Sequence, residues 1–78
     1  MKIEILGTGC AKCKALEEAV KQAVSKIDGF HEIIKVDDIV EIMKYNIVST
    51  PALVVDGVVK STGKLLSVDE VLKILKAF

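Results

Sequence analysis

The chain has 78 residues, enough for one domain, and 51% of them are hydrophobic, which suffices for a core built mainly from Ile, Val and Leu. Eleven basic residues balance eleven acidic ones, so the charge excess that selects nucleic acid or an anionic membrane surface is missing. No apolar run reaches transmembrane length and Met1-Lys2 leads into a strand pattern without a signal-peptide core, so a reducing cytoplasm is the expected compartment.

Lys2 to Leu6 is predicted to be a first strand, ended by the turn signal Gly7-Thr8-Gly9. A helix follows from about Ala11 to Asp28. Its buried stripe is Cys13, Leu16, Val20, Ala23, Val24 and Ile27, at three-four spacing. Gly29 is expected to cap it. His31 to Val36 reads as a second strand, with no role assigned to His31. Asp38 caps a short helix with an expected face of Ile39, Ile42 and Met43, and Glu41 stands three residues on, at the capping-box position.

Pro51 opens the run Ala52-Leu53-Val54-Val55, apolar on both faces and therefore a buried strand. Asp56-Gly57 is a type I′ hairpin signal. The strand after it, Val58 to Thr62, is more polar, and Lys60 suits an exposed edge. Gly57 and Gly63 read as turn residues and Tyr45 as a core or rim aromatic. Ser67 and Glu70 form a capping box for a last helix whose face is Val68, Val71, Leu72, Leu75 and Phe78. The order β-α-β-α-β-β-α predicts an α/β domain spanning 1–78 with a four-stranded mixed sheet. The first two strands are parallel through a right-handed crossover and the last two form a hairpin. The first and third helices cover one face and the second helix the other.

Cys10 and Cys13 are the only cysteines, two residues apart, where the first strand gives way to the first helix. Free N–H groups and the dipole at a helix N-terminus favour a thiolate, so Cys10 is expected to be the more exposed and more acidic thiol. Cys13 joins the apolar stripe one turn on. A disulfide closing so short a loop removes only about 2 kcal/mol of unfolded-state entropy, against about 3 for fifteen residues. Chemistry explains the pair better than stapling does. Two chemistries depend on such thiolates: dithiol/disulfide exchange and soft-metal binding. Lys12, between the thiols, is a candidate for stabilising the Cys10 thiolate by Coulomb attraction.

Cys10-Ala11-Lys12-Cys13, taken with Tyr45-Asn46-Ile47-Val48-Ser49-Thr50-Pro51-Ala52-Leu53-Val54-Val55-Asp56-Gly57, resembles the thioredoxin/glutaredoxin superfamily. The resemblance is closest to the small prokaryotic thioredoxin-like redox-active disulfide proteins and covers essentially the whole chain. It implies a thioredoxin-like fold, with Cys10 as nucleophile and Cys13 as resolving thiol. It further implies that Pro51 is a cis-proline facing them, with Thr50 offering backbone groups to a substrate. Glu4, six residues before Cys10, stands where thioredoxins place a buried aspartate that assists proton transfer to the resolving cysteine. The implied activity is thiol–disulfide oxidoreduction on protein or small-thiol targets. The implied protein is a monomer that needs no cofactor beyond the disulfide and is recycled by an unidentified reductase. The chain departs from thioredoxins in having Gly9 for the Trp before the motif and Ala11-Lys12 for Gly-Pro. Glutaredoxins carry a paired glycine near the fourth strand, where this chain has only Gly63 after Thr62.

The alternative is a metal-delivery module, since small heavy-metal-associated domains also place Cys-x-x-Cys at the start of their first helix. Those domains carry Met two residues before the first Cys, where this chain has Thr8, and they finish on a strand rather than a capped helix.

Overall fold

A computed structural model describes residues 1–47 and 49–77. Strand β1 (Lys2–Leu6) lies at the centre, parallel to β2 (Glu32–Val36) and antiparallel to β3 (Ala52–Val55). β3 pairs antiparallel with β4 (Val58–Thr62), which gives the order β2-β1-β3-β4. Helices α1 (Ala11–Val24), α2 (Ile39–Met43) and α3 (Val68–Lys76) complete the expected element order. The expected contribution of Phe78 to α3 lies outside the described residues.

Strand alternation sorts the core into two layers. Ile3, Ile5, Leu53 and Val55 pack with Leu16, Ala19, Val20 and Ala23 of α1 and with Val71 and Leu75 of α3. Leu6, Ala52 and Val54 face the other way, against Ile42 of α2. Both flanks of β3 are therefore covered, which is why its sequence is an uninterrupted apolar run. Among the described residues the first layer buries eleven apolar side chains and the second four. At about 1.5–3 kcal/mol for a fully buried aliphatic side chain, the α1/α3 side carries most of the stability. The α2 side is thin, and it is there that a polar residue of β1, Glu4, is tolerated.

Several local expectations change. The first helix ends at Val24, not Asp28. Lys26 and Ile27 bond back three residues, to Ala23 and Val24 at 3.0 and 3.2 Å, so the last turn tightens out of α geometry. Ser25 reinforces this by donating its hydroxyl to the Gln22 carbonyl at 2.6 Å. Gly29 sits beyond the cap at φ +102°, in the loop that reverses into β2, and β2 starts at Glu32 rather than His31. Of the face expected for α2 only Ile42 is buried. Ile39 and Met43 are 56% and 67% exposed, because a five-residue helix turns one side chain toward the sheet. Its cap is also simpler than expected. Asp38 accepts the Val40 N–H at 2.9 Å, while Glu41 pairs with Lys44 instead of reaching back.

The other turn signals hold. Asp56 and Gly57 take φ of +49° and +84°, as a type I′ turn requires. Ser67 and Glu70 exchange both capping-box hydrogen bonds, at 3.0 and 3.2 Å. Lys60 is exposed on edge strand β4, as the extra residue of a bulge opposite Leu53 and Val54. Among the described residues no helix is long and apolar enough to cross a membrane.

Candidate active site

The end of β1 delivers the chain to the site. The Gly7 N–H donates to the Val36 carbonyl at 2.9 Å, carrying the β1–β2 pairing one residue past the strand. Gly9 then turns at φ +89°, and Cys10 becomes the N-cap of α1 with extended backbone angles. Its sulfur accepts the Cys13 backbone N–H at 3.3 Å, which satisfies one of the four donors a helix start leaves open. Its carbonyl accepts the first helical hydrogen bond, from Lys14 at 3.1 Å. Both thiols are free. Cys10 is exposed and Cys13 is 2% exposed.

This asymmetry sets their acidities apart. The Cys13 thiol, donating to the Cys10 sulfur, and then the Cys13 backbone N–H hold Cys10 below the ordinary thiol range. Lys12 adds to this through its backbone N–H, and its side chain is exposed. Burial pushes the Cys13 thiol up, and its hydrogen bond to Cys10 pushes it further. Alkylation of the reduced protein across a pH series is therefore expected to label Cys10 first and to approach its plateau below the pH of an ordinary thiol. Faster labelling of Cys13 would reverse the order of acidities.

The Thr50-Pro51 peptide bond is cis. Pro51 is buried and Thr50 exposed. Two glycines whose sequence context is that of ordinary turns lie against the Pro51 segment. A Cβ on Gly7 would fall on the Cys13 sulfur, 3.1 Å from the Cys13 Cβ and 4.0 Å from the Pro51 Cα. Gly7 is thus the point at which Cys13 and Pro51 meet. Gly63, at φ +67°, donates its N–H to the Pro51 carbonyl at 2.8 Å, and a Cβ there would lie 2.8 Å from that of Ser49. No sequence signal separates these close approaches from ordinary turns.

Glu4 is the one charged residue among those described that the fold buries, at 7% exposure. Its Oε2 accepts the Tyr45 hydroxyl at 2.6 Å, from just beyond α2. That hydrogen bond, then burial, raises the tyrosine above its ordinary range. Tyr45 is accordingly more than a rim aromatic: it supplies the donor for the carboxylate on the thin side of the sheet. Among the described residues no group of three or more His, Cys, Asp or Glu side chains could hold a metal ion. A soft metal would have Cys10 and Cys13 as its thiolate ligands.

An exposed, acidified N-cap cysteine, a buried partner thiol one turn on and a cis-proline that meets this buried thiol at Gly7 define a dithiol/disulfide domain of the thioredoxin fold. The family whose model is described as the thioredoxin domain matches residues 1–76. A thioredoxin of Methanothermobacter thermautotrophicus is 39% identical over 75 residues, covering 96% of this chain and 97% of that protein. A thioredoxin of Methanocaldococcus jannaschii is 42% identical over 76 residues, covering 97% of this chain and 87% of that one. The chain belongs to the thioredoxin family, a family of disulfide oxidoreductases, and has a thioredoxin-like redox function.

Proposed function

We propose that the protein exchanges its Cys10–Cys13 dithiol with disulfides of protein or small-thiol targets. The observation that carries this reading is the Cys10 sulfur, exposed and accepting the Cys13 N–H at 3.3 Å. An ordinary thiol is only about 3% ionised at pH 7, and each lowering of its pKa toward 7 multiplies the reactive fraction. Cys10 thiolate attacks one sulfur of a target disulfide, forming a mixed disulfide and releasing the other target sulfur as a thiolate. Cys13 then loses its proton and attacks the Cys10 sulfur, which closes the Cys10–Cys13 disulfide and releases the second target thiolate. Glu4 is the proposed acceptor of the Cys13 proton, in support of which it is a buried carboxylate on the strand that leads into the site. Lys12 tunes the thiolate through its backbone.

Thr50 and Pro51 form the substrate platform. Thr50 is exposed beside a buried Pro51, and Gly63 holds the Pro51 carbonyl, which leaves the Thr50 backbone for an extended substrate chain. The protein acts as a single domain and a monomer in the cytoplasm. It uses no cofactor besides its own disulfide and relies on a separate reductase for its electrons. Titration against defined dithiothreitol or glutathione ratios tests this. A reversible two-electron transition, absent from Cys10→Ser and Cys13→Ser, is expected. Tight stoichiometric copper(I) or zinc binding without any reversible disulfide would instead make the same two thiols a metal-delivery site.

A further inference from the structure

We infer that Gly7 is a positioning residue for the resolving thiol, its bare Cα forming the seat of the Cys13 sulfur. The inference rests on the exchange reading above and adds a part to it. Gly7 is buried, and its backbone lies outside the left-handed region in which glycine is needed for conformation. Its N–H is already engaged by the Val36 carbonyl at 2.9 Å, so it offers the sulfur no donor. What remains is space. The position where any other residue would carry its Cβ is taken by the Cys13 sulfur, with the Cys13 Cβ 3.1 Å away and the Pro51 Cα at 4.0 Å.

This arrangement matters for the second step of exchange more than for the first. Cys10 attacks from an exposed N-cap three residues beyond Gly7. Cys13 must bring its sulfur in line with the Cys10–target bond from within a closed seat bounded by Gly7 and Pro51. Reacting atoms misplaced by about 1 Å lose on the order of a hundredfold in rate. A methyl group at position 7 displaces the sulfur, because the parallel pairing to β2 fixes the backbone on one side and α1 fixes it on the other.

The test is stopped-flow reaction of the reduced protein with an aromatic disulfide whose released thiol is coloured. The wild type releases two equivalents: the first when Cys10 attacks, the second when Cys13 resolves the mixed disulfide. Gly7→Ala is expected to slow the second release about tenfold or more and to leave the first within about twofold. Thr8→Ala, at an exposed neighbouring position, should change neither. A folded Gly7→Ala protein whose second release stays within twofold of wild type overturns the inference. Where Gly7→Ala does not fold, Gly7→Ala/Cys13→Ala decides. Removing the sulfur leaves only a contact that yields by a few tenths of an ångström, so the double variant should fold. A double variant as unfolded as the single one would also overturn the inference. A wild type that never releases a second equivalent would count against the exchange reading itself, an outcome distinct from any of these.

Discussion

Cys10→Ser is expected to bring dithiothreitol-driven reduction of a model protein disulfide down to the uncatalysed rate, with the fold intact. Serine is among the preferred N-cap residues, and its oxygen is a better acceptor than sulfur for the Cys13 N–H that Cys10 takes at 3.3 Å. The substitution thus removes the nucleophile and keeps the cap, so thermal stability should match or exceed that of the wild type. Cys13→Ser should behave differently. Its first step survives, and the variant halts as a mixed disulfide through Cys10, recoverable on a non-reducing gel and released by dithiothreitol. The new hydroxyl lies in a seat that is 2% exposed and costs about 1–3 kcal/mol if it finds no partner. Cys13→Ala is the control for that cost. Equal trapping by Cys10→Ser and Cys13→Ser, or trapping by neither, would contradict the assigned order of attack.

How much of this was legible beforehand depends on whether a residue acts through its own local chemistry or through a distant contact. The cap at Ser67, the hairpin at Asp56-Gly57 and the buried run 52–55 each express a preference of a few adjacent residues, and the structure contains them as read. So does the Cys-x-x-Cys at the start of a helix. The end of α1 is not legible in the sequence because the apolar spacing continues through Val24 and Ile27, and both do pack against the core. Ile27 does so from a tightened turn beyond the helix, which periodicity cannot distinguish from helix. The face of α2 looks wider in the sequence than in the fold for the opposite reason: three apolar residues at helical spacing do not reveal that the helix is too short to bury them. Gly7, Gly63 and Tyr45 carry only the signals of ordinary turn and rim residues. Their importance comes from Cys13, Ser49 and Glu4, partners 6, 14 and 41 positions away in sequence, and nothing adjacent to them announces it.

Tyr45→Phe is expected to destabilise the protein by about 1.5–3 kcal/mol, the usual cost of removing a hydrogen bond to a charged group. In a domain of this size each kcal/mol lowers the midpoint of thermal unfolding by about 4–8 °C, so a drop of about 10 °C is the expected reading. Glu4 is 7% exposed, and its register partners on the neighbouring strands are Ile34 and Val54, so the Tyr45 hydroxyl at 2.6 Å offsets much of the burial cost. Glu4→Leu/Tyr45→Phe should recover most of the loss, because replacing both polar partners with apolar groups leaves nothing unsatisfied. The pH dependence carries a definite sign. The folded protein holds the tyrosine above its ordinary range through the hydrogen bond to Glu4 and burial. Its contribution is therefore full below about pH 10 and is lost as pH rises through the folded value. Wild-type stability should decline on that alkaline limb, and Tyr45→Phe should lose this part of the decline. Glu4→Gln separates the structural role from the proposed proton transfer. It keeps an acceptor for Tyr45 but no longer takes a proton, so resolution by Cys13 should slow and change its pH profile while alkylation of Cys10 stays as in the wild type. An unaltered resolution profile in Glu4→Gln would confine the pair to holding the end of α2 against β1.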